Sequence, residues 1–300
     1  MRLAPGTAQA LARPTPATAA AGLRDALHAE WTKLRTAPGT IGLLAAAVAL
    51  TVAVSVATAA ATRCPAAGCG QDPAKVSLTG VYLGQVVVAV MAVLVISGEY
   101  SSGMIRTTLA AMPRRTSVLA AKAALITGLV LVTGTVAVLG AKAIVVTGLV
   151  LAAGTVAVLG SLLAGRLILP GHGFTAAHGF APLSLGDGPV LRAAAGSVLY
   201  LALIALLSLG IATIVRDSAA AIGLVLGLLY LFPIFAALVT DQTVQRHLLQ
   251  AAPMTAGLDI QATTGLHSLP LGPWAGLGVL AAWAAGALLA GGLLLRFRDA

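Results

Sequence analysis

The side chains that could do covalent or metal chemistry are few, and they lie between long apolar runs. Cys64 and Cys69 are the only two cysteines, and turn-forming Pro65 and Gly68 lie between them. On the oxidising side of a membrane such a close pair can form a local disulfide. Two free thiols are the alternative, and two cysteines fall short of the four ligands of a structural zinc site.

The histidines and the common catalytic motifs give little support for an enzyme. His172, His178, His247 and His267 are scattered between the apolar runs without a neighbouring cysteine or carboxylate cluster, so we interpret them as solvated residues. The chain has no G-x-x-x-x-G-K-[ST] phosphate loop, no G-x-S-x-G elbow and no H-E-x-x-H helix. The sequence therefore predicts no catalytic residues, no cofactor and no metal site.

One polar and basic segment, residues 98–122, interrupts the apolar sequence. It reads GEYSSGMIRTTLAAMPRRTSVLAAK. Pro113 divides it into two short amphipathic pieces, because proline lacks the backbone donor that a continuous helix needs. Such a segment at the end of a membrane span can dock a soluble partner, or it can serve only to orient the chain. The residues alone favour neither.

The composition places this segment in a membrane protein. The 300 residues are 59% hydrophobic and only 9% charged, and the mean hydropathy is +0.98. About 20 consecutive apolar residues suffice for a helix to cross the bilayer. The sequence predicts an all-α polytopic membrane protein with six transmembrane helices, at about residues 40–61, 79–97, 123–165, 194–215, 219–240 and 272–295.

The lysines and arginines predict the orientation, since cytoplasmic loops carry more of them. With the N-terminus inside and an odd number of crossings over 123–165, the cytoplasmic residues are Arg2, Arg13, Arg24, Lys33, Arg35, Arg106, Arg114, Arg115, Lys122, Arg216, Arg296 and Arg298. The external ones are Arg63, Lys75, Arg166, Arg192 and Arg246. Both termini are therefore expected in the cytoplasm. The sequence has no basic face interleaved with aromatic residues, so it does not indicate a nucleic acid partner.

Residues 121–160 are a tandem duplication. AKAALITGLVLVTGTVAVLG is followed by AKAIVVTGLVLAAGTVAVLG, so that all but five positions repeat. A straight helix over 121–165 would be about 67 Å long, more than twice the bilayer core. We expect one span plus an extra helical stretch that protrudes, bends at Gly140 or lies at an interface. Lys142 marks the expected break, because a lysine at mid-bilayer costs about 2.5–3.5 kcal/mol.

The region before the first span divides into two parts. Residues 1–22, rich in Ala, Pro and Thr, predict a disordered cytoplasmic tail. Residues 23–37 predict an amphipathic helix at the membrane interface, with Glu30, Trp31, Lys33 and Arg35 near the lipid headgroups. A plain cytoplasmic extension of the first span is the alternative. Residues 38–300 form the transmembrane domain.

Two short motifs connect this layout to a family. Glu-Trp-Thr-Lys-Leu-Arg-Thr occupies Glu30–Thr36, and Gly-Glu-Tyr-x-x-Gly-x-Ile-Arg-x-Thr-Leu occupies Gly98–Leu109. An Arg-Arg pair and an Ala-Ala-Lys follow, ending at Lys122. In these motifs, and over about 23–298 in the order of spans, the chain resembles the permease subunits of type-2 ABC exporters, particularly small actinobacterial ones. The duplication departs from that family, which has a single span at this place.

The resemblance implies that transport requires two kinds of polypeptide, a permease and an ATPase. It implies six spans, a cytoplasmic coupling segment at 98–122, a separate ATP-binding cassette ATPase subunit and a homodimer or heterodimer of permeases. It also implies that the chain lies in a bacterial plasma membrane. The residues expected to contact the ATPase are Glu99, Tyr100, Gly103, Ile105, Arg106, Thr108, Leu109, Arg114 and Arg115. The chain itself would be a permease and not an enzyme. The alternatives are a stand-alone secondary carrier and a non-transport membrane anchor or sensor component.

Overall fold

The computed structural model describes residues 38–65, 70–101 and 120–298, with side chains for 39–65, 70–97 and 143–294. Throughout these residues the regular structure is helical, as the sequence predicts. The helices are α1 Pro38–Ala61, α2 Pro73–Ser77, α3 Val81–Ser101, α4 Ala120–Ile168, α5 Gly188–Val215, α6 Ser218–Leu238, α7 Gln242–Ala251, α8 Pro253–Leu258 and α9 Pro273–Arg298. Short 3-10 turns occupy Leu169–His172, Ala176–His178, Asp259–Gln261 and Leu266–Ser268.

Five helical segments in the described part are long and apolar enough to cross a membrane. They are Gly39–Ala61, Ala143–His172, Gly188–Val215, Ser218–Leu238 and Pro273–Leu294. Val81–Ser97, within α3, is a shorter apolar helical segment. The prediction of an all-α, multi-pass membrane protein is therefore confirmed, while the sixth span and the side on which the termini lie stay predictions.

Helix α5 lies at the centre of the bundle. It contacts α3, α4, α6 and α9, and 67% of its most apolar stretch is buried, against 17–28% in the other four long segments. A β-carbon added at Gly210 of α5 would lie 2.6 Å from the carbonyl carbon of Ala287 in α9. The missing side chain thus lets the two backbones approach closely, as small residues do between membrane helices.

The duplicated segment lies within one uninterrupted helix. Helix α4 has 49 residues and continues through Gly140 and Lys142, so the expected break there is wrong. A single glycine costs a helix interior only about 1 kcal/mol, and the surrounding Ala and Leu residues favour the helix. At 1.5 Å per residue α4 is about 73 Å long. Its second half packs against α1, with Gly160 next to Val52, and against α5.

The segments that follow α1, α4 and α6 meet at one end of the bundle. We call this the loop end, and it comprises residues 62–65, 70–80, 169–187 and 239–272. The amide of Cys64 donates to the carbonyl of His172 over 2.8 Å, and the amide of Thr264 donates to Asp72 over 2.9 Å. Helices α1 and α4 therefore run in the same direction, with their C-terminal ends side by side.

Two stretches between the predicted spans contain helices. Between the spans predicted at about 123–165 and 194–215, α4 continues to Ile168 and α5 begins at Gly188, so that Arg166 and Arg192 lie in helices. Pro189 can start α5 early because the first turn of a helix needs no donor at that position. The residues between the last two predicted spans contain α7 and α8, and 252–254 and 256–262 are buried.

Candidate functional site: a polar seam beneath the loop end

The segment 252–262, which runs through α8 into a 3-10 turn, is inserted into the bundle. All of its residues are buried except the half-buried Thr255. Glycines make the room: a β-carbon at Gly196 of α5 would lie 2.0 Å from Cγ1 of Ile260, and one at Gly257 would lie 2.8 Å from the ring of Tyr200. Close approach of α8 to the central helix therefore depends on both glycines.

A set of buried hydrogen bonds, which we call the polar seam, joins α8 to three long helices. It consists of Gln85 of α3, Tyr200 of α5, Tyr230 of α6 and Met254 of α8. The Tyr200 hydroxyl donates to Oε1 of Gln85, and Nε2 of Gln85 donates to the Tyr230 hydroxyl at 2.9 Å and to the Met254 sulfur at 3.0 Å. Gln85 and Tyr200 are fully buried. The fully buried glutamine amide thus has partners on both of its polar atoms.

Two further contacts hold the 3-10 turn after α8 onto α5. Nε2 of Gln261 donates to the hydroxyl of Ser197 at 3.1 Å, and Nη2 of Arg192 donates to the carbonyl of Ala262 at 2.6 Å. Ser197 in turn donates to the carbonyl of Ala193 at 2.8 Å. The first three turns of α5 therefore anchor the end of the inserted segment.

Asp72 connects the inserted segment to the loop between α1 and α3. Its Oδ1 accepts from the amide of Ala74 at 3.0 Å, which caps the short helix α2, and from the Thr263 hydroxyl at 2.6 Å. Its Oδ2 accepts from the backbone amides of Thr263 and Thr264. One carboxylate thus joins two parts of the loop end that are distant in sequence.

Asp259 is a second carboxyl group of the inserted segment, and it is only 9% exposed. Burial raises its pKa to about 6, because a charged carboxylate loses hydration there. The charge of Lys75 and a hydrogen bond from the amide of Leu271 act in the opposite direction and lower the pKa. The segment therefore contains a carboxyl group that titrates near neutral pH.

These contacts suit the joining of helices and the presentation of hydrogen-bonding groups. Within the described part of the chain no three side chains of His, Cys, Asp or Glu come together to hold a metal ion. The hydroxyl and amide groups of the seam can form hydrogen bonds with a polar solute or with one another. A rearrangement of the seam would move α8 relative to α3, α5 and α6 together.

Comparison with known proteins does not identify the chain. No family model matches it, and no curated protein is similar enough to count as a relative. The resemblance of the two motifs to the permeases of ABC exporters therefore stays a prediction.

The structure describes only some of the residues that are predicted to contact the ATPase or to lie at the membrane interface. Glu99 and Tyr100 lie in the last turn of α3, and their side chains are not among those described. Gly103, Ile105, Arg106, Thr108, Leu109, Arg114 and Arg115 lie outside the described residues, as do Glu30, Trp31, Lys33 and Arg35. Their roles stay predictions.

The structure describes only one of the two cysteines that are predicted to form a disulfide. Cys64 is buried and disulfide-bonded. Cys69, the only other cysteine of the chain, lies outside the described residues. The pairing of the two within this loop stays a prediction.

The sequence interpretation missed the polar seam, although one signal was present. Charged residues are the usual markers of a functional site within apolar spans, whereas Gln85, Tyr200 and Tyr230 are uncharged. A glutamine within an apolar helix needs hydrogen-bond partners, because an unpaired amide in hydrocarbon is costly. That requirement predicts that Gln85 has a hydrogen-bond partner, but it does not identify the residue that provides it.

Proposed function

We propose that this chain is the membrane-spanning permease subunit of an ATP-driven exporter of the ABC type. It forms part of the substrate path and works with a separate ATP-binding subunit, in a dimer with a second permease. The motif at Gly98–Leu109 is the single observation that carries the proposal. The multi-pass helical bundle supports it, and so does the absence of a phosphate loop in the sequence, since energy for uphill export must then come from another polypeptide.

The connections of the motif support a coupling role. It begins in the last turn of α3 and is followed by α4, and both helices pack against α1 and the central α5. A displacement of the segment between them would act on α3 and α4 at once. In this proposal the ATPase docks on residues 98–122 and tilts these two helices.

The orientation in the proposal has six spans, with both termini in the cytoplasm. The charge count supports it, and so does the shared direction of α1 and α4, which agrees with an odd number of crossings between them. The loop end then faces outward, and the polar seam lies just beneath the external surface. We propose that opening of the path on that side separates α8 from Gln85 and Tyr230.

The experiment is purification of the tagged full-length chain in mild detergent from its native host. We expect a protein with a phosphate loop to co-purify in a stoichiometric amount. Co-purification of other membrane or signalling proteins without any ATPase would contradict the proposal and favour an anchor or sensor component. A chain that purifies without partners and transports on its own would favour a secondary carrier.

A further inference from the structure

A second feature of the loop end lies where α1 and α4 finish. A pocket of about 390 Å³ opens there to solvent. Its lining residues are Arg63, Cys64, Pro65, Gly171, His172, Gly173 and His178. The volume falls within the range of about 300–1,000 Å³ that is usual for small-molecule sites.

The floor of the pocket is held by short-range contacts. Gly173 has a φ of 96°, and a β-carbon there would lie 2.1 Å from the carbonyl oxygen of Cys64, so only glycine fits against the cysteine backbone. Beneath it, Cys64 packs with Ala59, Leu169 and Phe174 in a separate apolar cluster. The pocket is therefore preformed by backbone contacts, the disulfide-bonded Cys64 and this small core.

The polar groups of the pocket are basic. Arg63 is exposed, and it forms no hydrogen bond or ion pair with the described residues. The half-buried His178 donates from Nδ1 to the carbonyl of Gly173 at 2.7 Å, which fixes the orientation of its ring. His172 is half-buried beside it, and the lining contains no carboxylate.

This combination favours an anion over a cation. A guanidinium in the lining repels a metal ion, whereas its fork of donors matches the oxygens of a phosphate group. We propose that the pocket binds a phosphate-bearing ligand through Arg63, with the two imidazole rings as neighbouring contacts. The inference is independent of the proposed transport function, because it concerns binding at the loop end without ATP or an ATPase.

Two sources share this chemistry, a soluble phosphate compound and the headgroup of a phospholipid. The last turns of α4 before the pocket expose Leu163 and Leu167 by 61% and 80%, which is suitable for contact with acyl chains. Either source would use the same guanidinium. The experiment therefore needs one probe for each.

The test uses the delipidated full-length protein in detergent, with Arg63→Gln as the variant and Arg246→Gln as the matched control. Arg246 is an exposed arginine of α7 at the same loop end, and it does not line the pocket. There are two probes. Binding of inorganic phosphate is measured by calorimetry, and binding of phosphatidylglycerol is measured by native mass spectrometry. Diacylglycerol with the same acyl chains controls for binding of the tails.

We expect Arg63→Gln to weaken binding of at least one phosphate probe about tenfold, while Arg246→Gln leaves it unchanged. Binding of inorganic phosphate that depends on Arg63 would identify a site for soluble compounds. Retention of phosphatidylglycerol alone, again dependent on Arg63, would identify a headgroup site. Equal binding by both variants, equal retention of diacylglycerol, or no binding of either phosphate probe would overturn the proposal.

Discussion

The hydroxyl of Tyr200 donates a hydrogen bond to the amide oxygen of Gln85, 115 residues earlier in the chain. Both side chains are fully buried, and the same amide donates to Tyr230 and Met254. The contact thus connects the central helix α5 with α3 and, through the amide, with α6 and α8. Through the hydrogen bond from Gln85 to Met254, a motion of α3 would act on the inserted segment.

Replacement of Tyr200 by Phe should destabilise the protein measurably. It leaves Oε1 of the buried Gln85 without its donor, and an unpaired buried acceptor costs about 1–3 kcal/mol. We expect a lower thermal unfolding midpoint in detergent and faster hydrogen exchange in residues 252–262. Tyr82→Phe is the control, because the Tyr82 hydroxyl forms no hydrogen bond within the described structure. Equal midpoints for the two variants would contradict the role given to the seam.

The carboxyl of Asp259 should make stability depend on pH. Burial raises its pKa from 3.8 to about 6, so the folded state binds the proton more tightly than the unfolded state. Its contribution is therefore complete below about pH 3.8 and is lost as the pH rises through about 6. We expect the unfolding midpoint to fall as the pH rises from about 4 to about 6, and the loss of unfolding free energy over this range to be at most about 3 kcal/mol.

The substitution Asp259→Asn should flatten this pH dependence. Asp241→Asn is the matched control, because hydrogen bonds from the amides of Val244 and Thr243 lower the pKa of Asp241, so its titration lies below the range in which Asp259 changes the stability. The Asp241 variant should keep the slope of the parent protein. If Asp259→Asn kept it as well, Asp259 would not be the titrating group.

The sequence predicts the long helices well, because the backbone of each apolar run has to satisfy its hydrogen bonds within one helix. The span expected at 219–240 is helix Ser218–Leu238, and the one expected at 40–61 is Pro38–Ala61. The inserted segment could not be predicted in the same way. Met254, Leu258 and Ile260 form too short a run for a span, and their burial depends on Gly196 and other distant residues.

The duplication shows another limit of sequence patterns. Lys142 is costly at mid-bilayer, and the sequence therefore suggested a break beside it. The local preference of an Ala- and Leu-rich segment for the helix is stronger than the effect of one glycine, so α4 continues. An uninterrupted α4 would cross the membrane once. This agrees with the odd number of crossings over 123–165 on which the predicted orientation of the chain depends.

Deletion of residues 121–140 should leave the packed part of the bundle intact. It joins Ala120 to Ala141 and so recreates the original Leu-Ala-Ala-Lys junction with Lys142 in the place of Lys122. The buried residues of the second copy, Val146, Val150, Ala157 and Val158, keep their partners on α1 and α5. We expect membrane insertion and an unfolding midpoint close to those of the full chain.

A deletion of equal length, residues 146–165, is the control. It brings Lys142 to the position of the buried Leu162 and Ala141 to that of Ser161. A lysine there is buried without a partner, so this variant should fail to accumulate in the membrane. If both deletions accumulated equally, the second copy would not be the one that the bundle requires.

The central claim, coupling of residues 98–122 to a separate ATPase, is tested most directly by the amount of ATPase retained on the purified chain. The variant combines Ile105→Ala, Arg106→Ala and Leu109→Ala. The control combines Val244→Ala, Arg246→Ala and Leu248→Ala in α7, which likewise removes two aliphatic side chains and one arginine, here at the loop end. The account predicts that the first variant loses most of the ATPase while the control retains it. Full retention by both, with ATP hydrolysis still responsive to the permease, would contradict it.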